Sequence, residues 1–101
     1  MKVQWTRNSL RLRISPDELK LLRERQPVRE ILPVSGGALE LRLSPAEQTG
    51  LLLEGSVLHF RLSPADLADL LEAREGVYFH QNSVRYYVEK DFAYAFGEEP
   101  S

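Results

Sequence analysis

Arg13-Ile14-Ser15-Pro16, Arg42-Leu43-Ser44-Pro45 and Arg61-Leu62-Ser63-Pro64 are three near-copies of one tetrapeptide in a chain of 101 residues. Such a recurrence marks either a repeated ligand motif or a repeated handover from strand to helix. The residues favour the handover. A serine at a helix N-cap accepts a hydrogen bond from one of the orphan backbone N–H groups of the first turn. Proline suits the next position, where its missing N–H has no partner to lose. Three residues beyond each serine stands an acid, Glu18, Glu47 or Asp66. The two glutamates complete the pattern of a capping box, and the aspartate places an anion at the positive end of the helix dipole.

The residues before each cap alternate. Leu10, Leu12 and Ile14 oppose Arg11 and Arg13; Leu39, Leu41 and Leu43 oppose Glu40 and Arg42; Leu58, Phe60 and Leu62 oppose His59 and Arg61. A period of two describes half-buried strands. Beyond the first cap, Leu19, Leu21 and Leu22 with Arg23-Glu24-Arg25 form an amphipathic helix of about three turns that Pro27 ends. Beyond the third, Leu67, Ala68, Leu70 and Leu71 do the same as far as Gly76. The middle copy is weaker because Thr49 and Gly50 lower helix propensity, so 45–50 reads as a turn or a single helical turn.

Three hairpins follow from the turn residues: Val28 to Val34 with Ala38 to Leu43, Leu51 to Leu53 with Val57 to Leu62, and Val77 to Phe79 with Val84 to Val88. The aromatic alternation Phe92-Ala93-Tyr94-Ala95-Phe96 extends the last strand. At Arg7-Asn8-Ser9 the apolar phase switches from odd to even positions, which calls for a bulge or a tight turn. The resulting expectation is an α+β domain over 1–96, with a flexible tail at 97–101. Its sheet is mostly antiparallel, and two helices pack on one face. Strand, capped helix and hairpin occur twice, over about 10–43 and about 58–92, an internal duplication.

Composition narrows the function classes. A formal net charge of -2 lacks the basic excess of most nucleic-acid binders. The absence of cysteine excludes disulfides, thiolate metal sites and a cysteine nucleophile, and fits a reducing compartment. Lys2, Arg7, Arg11 and Arg13 interrupt any apolar leader, and no stretch reaches the ~20 apolar residues of a membrane helix, which implies a cytoplasmic protein without a membrane partner.

The outward strand positions hold the most suggestive chemistry: Arg11, Arg13, Arg42, His59, Arg61, Arg85 and Tyr87. If those strands are neighbours, their guanidinium groups and the ring form a ligand-binding face able to grip phosphates or stack on bases. The plainer reading is a solvated face in which Glu40, Glu89 and Lys90 supply cross-strand pairs. Glu89 and Asp91 lie on one side of a strand about 7 Å apart, a spacing open to a hard cation or to acid-base work, with closure of the last strand as the structural alternative. His59 and His80 have no ligand-pair spacing, no nucleophile elbow surrounds any serine, and Ser35-Gly36-Gly37 lacks a phosphate-loop context. Trp5 is either core or an exposed anchor.

Asn8-Ser9-Leu10-Arg11-Leu12-Arg13-Ile14-Ser15 at one end and Tyr87-Val88-Glu89-Lys90-Asp91-Phe92-Ala93 at the other resemble a family of small uncharacterised bacterial proteins. Its members similarly open with Met-Lys, carry such a strand and close on this Val-Glu-Lys-Asp-Phe ending. The resemblance implies a type of domain and carries no activity, substrate or catalytic residue. With no catalytic residue, metal ligand or cofactor motif surviving comparison with a structural role, the sequence points to a non-enzymatic binding or protein-interaction module. Protein is a better partner than nucleic acid, and edge strands offer a route to a homodimer. The competing readings are a small nucleotide- or nucleic-acid-binding protein using the arginines, and a minor enzyme built around Glu89, Asp91 and a histidine.

Overall fold

The computed structural model describes residues 1–72 and 76–91. The extension through Phe92 to Phe96, the domain end at 96 and the tail at 97–101 lie outside the described residues. The chain runs β1 (Lys2–Thr6), β2 (Ser9–Ile14), α1 (Pro16–Arg23), β3 (Val28–Val34), β4 (Gly37–Pro45), β5 (Gly50–Glu54), β6 (Val57–Leu62), α2 (Pro64–Leu71), β7 (Gly76–Gln81) and β8 (Val84–Lys90).

Both outer copies of the tetrapeptide start helices. The Ser15 hydroxyl accepts from the Glu18 N–H at 3.2 Å while the Glu18 carboxylate accepts from the Ser15 N–H at 2.9 Å, a closed capping box. Ser63 accepts from the Asp66 N–H at 3.2 Å. The middle copy departs from the expectation of a third cap. Ser44 and Pro45 close β4, the Ala46 N–H continues toward β6 by donating to the Leu62 carbonyl at 2.8 Å, and no helix forms before β5. Thr49 and Gly50 leave too short a run to nucleate a helix, so sheet pairing takes over the serine and proline.

α1 is two turns long rather than three. It stops before Pro27, because Arg25 adopts a left-handed φ of 62°. There the Arg25 N–H donates to the Leu22 carbonyl and the Gln26 N–H to the Leu21 carbonyl, which satisfies the last turn in the manner of a Schellman motif. At the phase break, Arg7-Asn8 forms the tight turn of a fourth hairpin, β1–β2. Asn82 and Ser83 both take positive φ in the turn between β7 and β8, matching the right-handed twist of the strands they join.

The strands form two four-stranded sheets, ordered β1-β2-β8-β7 and β3-β4-β6-β5. Four of the six pairings are antiparallel hairpins, and the central pairs β2/β8 and β4/β6 are parallel. The first and last hairpins therefore build one sheet and the two middle hairpins the other. Renumbering β1–β4 as β5–β8, and the reverse, converts one strand order into the other. The two helices touch one another. α1 carries the chain from β2 to β3 and α2 from β6 to β7, so each crosses between sheets.

Between the sheets, the inward residues predicted from the alternation form one core, except Leu39, which is exposed. Leu12, Ile14, Leu22, Leu43, Phe60, Leu62, Leu70 and Val88 are fully enclosed. Phe60 meets Phe79 and Tyr86 edge-on, with ring centroids 5.3 and 5.8 Å apart, and so ties the middle hairpins to the last one. Two side-chain contacts join the sheet edges. The Gln81 amide both accepts from the Leu51 N–H at 3.0 Å and donates to the Leu51 carbonyl at 3.1 Å, as a neighbouring strand would. The Met1 amine contacts the carboxylates of Glu18 and Glu30. Among the described residues no helix is long and apolar enough to cross a membrane.

Candidate functional site

The seven outward residues singled out from the sequence divide between the sheets. Arg11, Arg13, Arg85 and Tyr87 stand on β2 and β8, whereas Arg42, His59 and Arg61 stand on β4 and β6. Register explains both groupings: Arg11 lies opposite Tyr87, Ser9 opposite Arg85, and Arg42 opposite His59. A single seven-residue face is therefore not formed.

Most of these side chains are held by acids. Arg11 reaches Glu89 at 3.2 Å, with its guanidinium carbon 4.6 Å from the centre of the Tyr87 ring, and Arg13 approaches the same carboxylate at 3.9 Å. Arg42 and Arg29 grip Glu40 at 2.8 and 3.1 Å. Their hydrogen bonds, that of Arg29 foremost, hold the Glu40 carboxyl below the ordinary carboxylate range. His59 lies 3.1 Å from Glu54. Ion pairs with acids thus occupy four of the seven positions, Arg11, Arg13, Arg42 and His59, and Tyr87 carries the Arg11 guanidinium over its ring. Arg61 and Arg85 make no ion pair among the described residues.

Arg85 sits where the fold brings two turns together. Because β2 and β8 run parallel, the turn before β2 and the turn before β8 lie at the same end of their sheet. The Arg85 N–H donates to the Asn8 carbonyl at 2.9 Å and fixes their separation. Asn8, Ser9, Ser83, Arg85 and Tyr87 line a cleft of about 440 Å³ there. Its lining holds amide, hydroxyl, phenol and guanidinium donors and no carboxylate, a set suited to an anion. Arg61 borders a second cleft, of about 290 Å³, whose lining includes Glu47 and so already carries a negative charge. Sequence reasoning missed Asn8, Ser9 and Ser83. The phase break at Arg7-Asn8-Ser9 and the turn at 82–83 signalled two turns, but nothing local says that they meet.

The remaining candidates for chemistry have structural partners. Glu89 pairs with Arg11, and the Lys90 ammonium donates to the Glu72 carbonyl at 2.7 Å. Asp91 is 5% exposed, with Lys2 at 3.2 Å, and its N–H donates to the Ile14 carbonyl at 2.9 Å. Those contacts close the parallel β2/β8 ladder at its far end. Among the described residues no three His, Asp or Glu side chains converge as a metal site would require. Trp5 is an exposed residue of edge strand β1, 78% accessible.

The molecule is thus defined as an α+β domain of two four-stranded sheets with a donor-lined cleft where its first and last hairpins meet. The chain belongs to DUF7009, a family of unknown function, whose family model matches residues 1–95. No curated protein and no solved structure matches it.

Proposed function

We propose that this chain is a non-enzymatic binding module of the cytoplasm that holds an anionic group of a partner in the cleft between the β1–β2 and β7–β8 turns. The observation that carries this reading is Arg85. It stands without an ion pair among the described residues, in a lining of donors with no acid. An arginine so placed offers a planar pair of N–H groups that a carboxylate or phosphate matches in bidentate fashion. The module character rests on the structural employment of Glu89, Lys90, Asp91 and His59, each of which is held in an ion pair or hydrogen bond within the fold.

The interchangeable strand orders of the two sheets support the further reading that the chain arose by duplication of a unit of two hairpins joined by a helix. Self-association through the β3–β4 arm belongs to the same proposal. Edge strand β3 exposes Ile31, Leu32 and Val34 there, beside Leu39 of β4.

Native mass spectrometry of the protein purified from its own cells at low salt weighs oligomer and retained partner together. The expected result is an adduct that is lost at high salt and that Arg85→Gln fails to retain. An adduct that Arg85→Gln retains unchanged would overturn the assignment of the cleft. A retained nucleotide or oligonucleotide would replace the protein partner with the phosphate-binding alternative.

A further inference from the structure

We infer that the partner recognised at this cleft is a short acidic peptide segment carrying one large apolar residue, an inference that rests on the anion-binding reading of Arg85. A second, apolar depression of about 260 Å³ adjoins the donor-lined cleft across the same β1–β2 turn, and Ser9 belongs to both. Its walls are Trp5, Leu10, Leu51, Leu58, Val84 and Tyr86, and Arg7 stands at it as the only charged lining residue. Arg7 makes no ion pair among the described residues and is exposed. Across one hairpin turn the surface therefore changes from donors with Arg85 to an apolar hollow with Arg7.

The two halves specify the ligand's chemistry. A volume below the ~300–1,000 Å³ range of small-molecule sites, with Trp5 lying mostly in solvent, gives a shallow seat for one side chain rather than an enclosing pocket. A segment draped over the Arg7-Asn8 turn places an apolar side chain against Trp5 and Leu51 and flanking carboxylates at Arg7 and Arg85. The two arginines at the site that make no ion pair among the described residues, Arg7 and Arg85, match a few carboxylates and are too few to neutralise a run of phosphates. Aromatic and arginine side chains around an apolar seat are also the residues that anchor protein contacts.

Trp5 is the single tryptophan of the chain, so its emission reports on the hollow directly. The test titrates the intact protein with acetyl-Glu-Asp-Leu-Glu-Asp-amide, with the same peptide carrying Gly in place of Leu, with inorganic phosphate and with a mixed-sequence single-stranded oligonucleotide. The Leu peptide is expected to shift Trp5 emission to the blue and to bind at least about tenfold more tightly than the Gly peptide, the effect of burying one leucine. Arg85→Gln and Arg7→Gln, both surface changes checked by circular dichroism, should each weaken the Leu peptide several-fold.

Equal affinity for the Leu and Gly peptides, with Arg85→Gln still weakening both, would overturn the peptide inference and leave the anion cleft standing. Binding of no probe in an Arg85-dependent way would overturn both. An oligonucleotide binding more tightly than the Leu peptide would overturn the peptide inference in favour of nucleic acid.

Discussion

The two capped helices begin with nearly the same four residues and complete their caps differently. At α1, Glu18 is long enough to reach back to the Ser15 N–H with one carboxylate oxygen while the other contacts the Met1 amine. Burial opposes the charge on that amine, and the Glu18 and Glu30 carboxylates outweigh the opposition and raise its pKa. At α2 the corresponding acid is Asp66, one methylene shorter. The Ser63 N–H instead donates to the Thr49 hydroxyl at 2.8 Å, and Thr49 in turn donates to the Asp66 carboxylate. The first cap is closed within four residues of chain. The second depends on a residue fourteen positions earlier. A local motif can therefore recur with one acid a methylene shorter and be finished once by its own neighbours and once by the tertiary fold.

The largest effect tests what both halves share. Phe60→Ala, in the aromatic cluster joining the sheets, should destabilise by about 3–5 kcal/mol in denaturant unfolding, and should lower both helices in one transition. Separate transitions for the two halves would show that the core does not couple them. Gly76→Ala follows. A β-carbon there would stand 2.5 Å from the Val88 carbonyl oxygen, so backbone must move, at about 1–3 kcal/mol by thermal unfolding.

Next come the caps themselves. Ser15→Ala and Ser63→Ala should each remove about 1 kcal/mol, whereas Ser44→Ala, in the copy that starts no helix, should stay within about 0.5 kcal/mol of wild type. Thr49→Val separates the two caps most cleanly. It should destabilise by about 1–2 kcal/mol through the stranded Ser63 N–H, with a double-mutant cycle showing coupling to Asp66 and none to Glu18.

The smallest effect concerns the pairs on the β3–β4–β6 face. Because Glu40 titrates below its ordinary value when folded, its contribution is present above that value and is lost as pH falls through the folded pKa. Glu40→Gln should therefore lower stability near neutrality and converge with wild type in acid, as melting temperatures measured from pH 7 downward would show. A difference that persists unchanged at the lowest pH would assign the effect to packing.

What could be read from the sequence was what neighbouring residues decide. Alternation placed Leu12, Ile14, Leu43, Phe60 and Leu62 in the core, and Ser-Pro with a following acid located both helices. The middle copy at Ser44 starts no helix because the same four residues also suit a strand end, and only the pairing of Ala46 with Leu62 decides between them. The division into two sheets was out of reach, since hairpins specify antiparallel neighbours while the parallel β2/β8 and β4/β6 pairings join strands distant in the chain or separated by another strand.

The candidate site followed the same rule. Arg85 and Tyr87 were legible as outward strand residues. Asn8, Ser9 and Ser83 become their neighbours only through the meeting of the first hairpin with the last. Arg11, Arg13, Arg42 and His59 looked equivalent to Arg85 in alternation, and differ from it because register sets Glu89 or Glu54 beside three of them and Glu40 stands two residues from Arg42 on the same strand.

That meeting is the central claim, because the cleft exists only if β2 and β8 pair. The most direct measurement is a nuclear Overhauser spectrum of the isotopically labelled protein together with amide hydrogen exchange. Cross-peaks between Ser9 and Arg85, Leu10 and Tyr86, and Leu12 and Val88, with slow exchange of the Arg85 amide bonded to Asn8, are the predicted result. Strand β8 contacting β7 but not β2, with the Arg85 amide exchanging as fast as an open chain, would contradict both the fold and the site built on it.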